Sequence, residues 1–266
     1  MDFSDHTTFF NRFAPLLSSH IIADKGMPSL LQKLALAKQG PLQITYAPFD
    51  HVPEHAELVI VGITPGRVQA VNAIAAAAKA LRAGKPNGEA SRLAKMEGSF
   101  SGPMRANLVA MLDHIGLNSA LRLTTCATIF DPSRERIHFT SALRYPVFVG
   151  DENYNGKPDM LKTPLLKSMI DNCLADEARS LSKAIWLPLG PQASRAVEYL
   201  CTLGTLNETQ VLQGLPHPSG ANMERIAYFT GRKARELLSS KTNPDALDAS
   251  LKKLRLQMLE LKSKAA

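Results

Sequence analysis

The chain has 266 residues, 45% of them hydrophobic, and 31 Lys and Arg against 24 Asp and Glu give a net charge of +7. That is an ordinary composition for a globular core; no apolar run approaches the roughly 18 residues of a membrane span, and the start MDFSDHTTFFNRF lacks the basic-then-apolar order of a secretory leader. The three cysteines, Cys126, Cys173 and Cys201, stand too far apart for a disulfide framework or paired metal ligands, and they point to a reducing cytoplasm.

A pI near 9.4 favours polyanionic partners, nucleic acid first among them. The surplus is not even: nine Lys and Arg against four Asp and Glu lie between Arg232 and Lys264. Residues 1–240 are expected to form one domain and 241–266 a basic C-terminal helix.

Residues 4–20 and 28–38 read as amphipathic helices, with Leu30, Leu31, Leu34 and Leu36 on one side of the second. The proline-marked stretch 46–55 follows. Leu58 to Val61 is a continuous apolar run, β-branched at three of its four positions and stopped by Gly62 and Pro65-Gly66, which predicts a buried parallel strand and a tight loop. A helix is expected near 68–82, a surface excursion over 84–102, and another helix near 103–115. LRLTTCATIF, 121–130, reads as a second strand, and 131–163 as a long loop of the kind that is usually functional. A helix over 164–180, a strand over 184–190, a helix over 191–203, a fourth strand over 210–220 and a helix over 221–239 complete the domain. Repeated strand–helix order predicts a three-layer α/β/α fold with a central four-stranded parallel sheet. Beyond Pro244, Leu247, Leu251, Leu254, Met258 and Leu261 form a heptad-like stripe, either packed back on the domain or forming a homodimer coil.

Ligands of such sheets bind beyond the strands' carboxyl ends. The loops GITPG (62–66), TTCA (124–127) and HPSGAN (217–222) are expected there. GITPG is no Walker loop, since the Lys-Ser/Thr ending is missing, and its glycine spacing is not that of a dinucleotide fingerprint. His217 stands between two prolines, which restrict the backbone around one imidazole.

GITPG after an early strand, HPSGAN after the last, and MEGSFSGPMRANLVAMLDHIGL (96–117) between them resemble, in order and spacing, the uracil-DNA glycosylase superfamily, nearest its mismatch-specific and single-strand-selective branches. The resemblance spans about residues 45–238. It implies an enzyme that extrudes one base from DNA and hydrolyses its N-glycosidic bond, with no cofactor. His217 would stabilise the departing base and Thr64 would hold the attacking water. Gly62, Ile63, Pro65, Phe100, Thr124 and Thr125 would contact the base. Gly66, Arg67, Ser219, Gly220, Asn222, Met223 and Arg225 would contact DNA.

Departures from the family pattern shape these expectations. Thr64 replaces the family's Asp or Asn, so Asp50 or Glu97 would have to assist as a carboxylate. No Asn ends the second expected strand, which relaxes the choice of base toward modified pyrimidines, hypermodified cytosine of phage DNA and hence antiviral defence among them. Ala221 stands where relatives carry a bulky wedge, leaving Met223 or the 131–163 loop for that task. The cysteines of the iron–sulfur branch are absent, and no metal or membrane partner is expected. Uracil or mismatch repair and a catalytically weak DNA binder are the alternative readings.

Overall fold

The computed structural model describes residues 3–19, 27–99, 103–131 and 135–264. In chain order it contains helices α1 (Phe9–Ser19) and α2 (Met27–Lys33), strands β1 (Ala35–Gln39), β2 (Leu42–Thr45) and β3 (Leu58–Gly62), and helices α3 (Arg67–Arg82), α4 (Asn87–Gly98), α5 (Pro103–Ile115) and α6 (Leu117–Ala120). Strands β4 (Ile137–Ser141), β5 (Val147–Val149) and β6 (Glu152–Asn153), helices α7 (Pro164–Met169) and α8 (Ala175–Ser180), strand β7 (Ile185–Pro188), and helices α9 (Pro191–Thr202), α10 (Met223–Phe229) and α11 (Pro244–Lys264) follow.

A parallel sheet in the order β4–β3–β7 organises the core. Ile60 of the central strand pairs with Phe139 on one side and Leu187 on the other. All five residues of β3 are buried, and its four apolar side chains alternate between two clusters. Val59 and Val61 join residues of α1, α3, α4 and α9. Leu58 and Ile60 join residues of α5, α10 and α11. Helices therefore cover both faces, which is why the strand is apolar throughout.

The parallel sheet has three strands and not four. In the 210–220 segment Val211 makes a single bridge to Trp186. Gly214 then takes φ +106, and Pro216 and Pro218 have no N–H to donate, so the ladder cannot continue. The segment 121–130 is not a strand either. Arg122 has φ +55, and Asp113 of α5 accepts from Thr125 Oγ1 at 2.6 Å and from the Cys126 N–H at 2.7 Å. Those bonds draw the chain into a 3-10 turn, Cys126–Phe130. The strand beside β3 comes instead from 137–141, inside the expected loop. That region also supplies β5 and β6, which complete an antiparallel sheet in the order β1–β2–β5–β6.

Smaller differences have local causes. The helix expected over 28–38 stops at Lys33, because residues 35–45 form a hairpin turning at Gly40, φ +58. The excursion 84–102 contains α4, entered through Pro86. The helix expected over 221–239 ends at Phe229, with Gly231 at φ +73 just beyond.

The C-terminal stripe faces inward. Leu254 and Met258 are buried beside α5 and α10, and Leu247, Leu251 and Leu261 pack partly buried against the same cluster. The packed-back alternative thus describes α11, and this stripe is covered by the chain's own domain.

Candidate active site at the carboxyl ends of the parallel strands

The loop leaving β3 is zipped to the chain leaving β4. Ala142 N–H donates to Gly62 O at 2.8 Å and Leu143 N–H to Ile63 O at 2.9 Å. A Cβ on Gly62 would meet Ser141 Oγ at 3.5 Å, an ordinary contact, so the end of β4 does not by itself require a glycine here. Thr64 is half-buried in this seam. Its hydroxyl donates to Tyr145 O at 3.0 Å and accepts from the Val147 N–H at 3.2 Å. One lone pair is left, and no proton.

Pro65 lines a narrow slot with Ser99, Phe139, Thr140 and Ser141, of about 20 Å³. That is room for about one water. At the start of α3, Gly66 N–H donates to Gln69 Oε1 at 3.0 Å and Arg67 N–H to Asn153 Oδ1 at 2.9 Å. The Arg67 guanidinium lies 4.5 Å from the Phe148 ring centroid and donates to Asp151 O. The Gly66 donor thus serves α3 itself, and the Arg67 donors serve the β5–β6 hairpin.

His217 stands beside the end of β7. A Cβ on Gly190, which has φ +83, would meet the His217 Cβ at 3.6 Å. The positive φ is what calls for glycine here, and the contact places His217 against this turn. Ser219 N–H donates to His217 Nδ1 at 3.2 Å. The neutral ring must then carry its proton on Nε2, and among the described residues Nε2 has no hydrogen-bond partner. Burial holds the imidazole pKa below its ordinary value. Asn107, on α5 and almost fully buried, donates to Pro218 O at 3.0 Å and fixes the loop from below.

The rest of that loop is braced within itself. Asn222 Nδ2 donates to Ser219 Oγ at 3.2 Å, and Arg225 donates to Asn222 Oδ1 and Lys241 O. Gly220 is exposed; Met223 is 45% exposed, but its Sδ turns inward and accepts from Asn107 Nδ2 at 3.3 Å.

The expected residues are only partly brought together. Thr64 follows β3, His217 stands beside the end of the neighbouring strand β7, and no hydrogen bond joins them. Thr124 and Thr125 belong to the turn tied to Asp113 and do not follow a sheet strand; Ser141 holds the position expected of them. Phe100 lies outside the described residues. Glu97 is exposed on the rim of a separate chamber. Asp50 accepts from Tyr46 Oη at 2.8 Å and Tyr145 Oη at 2.7 Å, and burial raises its pKa against the pull of those hydroxyls and of Arg144.

Sequence reading missed a buried charge network behind β4. Arg144 Nε donates to Glu177 Oε1 at 2.9 Å, and its Nη2 donates to Cys173 O at 2.9 Å. Burial alone would raise the Glu177 pKa, but Arg144 and then His138 hold it well below the carboxylate range. Lys95 of α4 is buried, with Nζ donating to His51 O at 2.6 Å, and burial lowers its pKa to about 7. The available signal was the alternation in IHFTS, where His138 and Thr140 share one face.

No family model matches the chain, and no solved structure matches it. The uncharacterized protein YoxB of Bacillus subtilis (strain 168) is 35% identical over 207 residues, which cover 77% of this chain and 81% of YoxB. The chain belongs to the same family as YoxB.

Proposed function

We propose that this protein is a monofunctional DNA glycosylase acting on an extruded pyrimidine. The observation that carries the reading is the fixed tautomer of His217, a neutral ring with an Nε2–H donor between two prolines. When the C1′–N bond breaks, its electron pair goes to the base, and water adds to C1′ as it loses a proton. A preoriented donor stabilises the departing anion without reorganising, and such donors are worth about 10²–10³ in rate. The sequence resemblance from 45 to 238 and the basic net charge support DNA as the partner.

A modified pyrimidine is the substrate class we favour over plain uracil, because Ser141 and not an amide ends β4. The superfamily's four-stranded parallel arrangement belongs to this proposal too, with the Val211 bridge as the remnant of its last strand. Mass spectrometry of free bases released from DNAs of differing modification tests the reading; release by wild type and none by His217→Ala is expected.

A second reading, a non-catalytic reader of flipped bases, is favoured by Thr64. With its proton committed to Tyr145 O, this hydroxyl can orient a water only as an acceptor. Salt-dependent DNA binding with no base released from any DNA would select this reading.

A further inference from the structure

The slot of about 20 Å³ beside Pro65 is walled by cations and hydroxyls. Lys95 of α4 and Ser99 just beyond it line one side, and Ser141 at the end of β4 and the following Arg144 line another. Among the described residues no carboxylate lines it. Lys95, Ser99 and Arg144 are each more than nine-tenths buried, at 5%, 7% and 4% exposure.

These groups bring donors without acceptors. Lys95 Nζ donates one N–H to His51 O and keeps two. Arg144 turns Nε to Glu177 and Nη2 to Cys173 O, and its Nη1 makes no hydrogen bond among the described residues. The hydroxyls of Ser99 and Ser141 make none among them either. None of these atoms is sealed from water, whereas Thr140 Oγ1 is. The charges are uneven as well. Glu177 balances Arg144, but Lys95 has no ion-pair partner among the described residues. A buried charge left so is costly, and burial accordingly lowers the Lys95 pKa to about 7.

We infer that this slot binds one monatomic anion of the chloride class, held by the Lys95 ammonium and Arg144 Nη1 with the two serine hydroxyls turned toward it. A water accepts from the same donors but adds no charge opposite Lys95. Sulfate and phosphate are several atoms wide, and the slot has room for about one water. Bound there, the ion ties the end of α4 to the end of β4, beside the loop that carries Thr64 and Pro65. The inference stands independently of the proposed function.

Thermal unfolding of the full chain at pH 6, with chloride or bromide replacing gluconate at constant ionic strength, tests it. The wild-type midpoint should rise and saturate, by about 2–3 °C at ten times the dissociation constant. Lys95→Met should lose this rise. So should Ser99→Val, which fills the slot without removing a charge, at a position whose extended backbone, φ −94 and ψ 129, suits a β-branched residue. Anomalous diffraction from wild-type crystals grown in bromide should show the ion in contact with Lys95 and Arg144. A water alone in the slot, a salt effect that never saturates, or an equal rise in wild type and folded Ser99→Val overturns the inference.

Discussion

The Ser219 N–H donates to His217 Nδ1 across 3.2 Å, and that one bond decides which nitrogen of the imidazole carries the proton. Pro216 and Pro218 narrow the backbone around the ring, the Gly190 turn after β7 lies against it, and Asn107 holds the following carbonyl. Side chain, tautomer and loop are thus set before any substrate arrives.

Asn107 acts through Pro218 and not on the base, so it is a positioning residue. Asn107→Leu should lower the base-release rate about tenfold, or ~1.4 kcal/mol, while leaving DNA affinity unchanged. Single-turnover kinetics alongside fluorescence anisotropy separates the two; an equal loss in both would assign Asn107 a purely structural role.

Thr64 should behave as a fastener. Thr64→Val leaves Tyr145 O and the Val147 N–H unpaired, at a cost of about 1–3 kcal/mol in urea unfolding. Thr64→Ser, which keeps both bonds, should stay close to wild type in stability and in rate. A large loss of rate in Thr64→Ser at full stability would return the residue to the chemistry.

The network behind β4 makes stability depend on acid. Burial, and then Lys95, holds His138 down to about 4 from its ordinary value of 6.5. Between those values the unfolded chain binds a proton that the native chain refuses, so stability falls as pH drops from about 6.5 toward 4, by at most about 3 kcal/mol. Glu177 is held low in the native state, so a second loss begins below its ordinary range. Urea midpoints measured across this span check the sign; His138→Asn should flatten the upper part. Glu177→Gln at neutral pH leaves Arg144 buried without its counter-charge and should cost about 3–5 kcal/mol.

Because Leu254 is fully buried beside α5 and α10, Leu254→Ala should cost about 2–5 kcal/mol. The same change should leave the mass by light scattering unaltered. A halved mass would show that the stripe joins two copies.

Strand β3 and its loop were legible because five apolar residues ending in Gly and Pro admit few other readings. So was β7, for the same reason. Strand β4 was hidden because one of its faces carries His138 and Thr140, polar residues in place of an apolar run, and the partner His138 finds there, Glu177, comes from the distant α8. The segment 121–130 looked like a strand by residue type, and Asp113, twelve residues before Thr125, turned it into a 3-10 turn. His217 stood out in the sequence because its prolines fix the backbone locally, and the structure places it beside the end of β7. The slot beside Pro65 was not legible, since its lining is drawn from four separate parts of the chain.

The most direct test of the central claim is the single-turnover rate of base release by wild type and His217→Ala on the same substrate DNA. The account predicts a fall of about 10²–10³ with DNA affinity retained. Equal rates in the two proteins would contradict it.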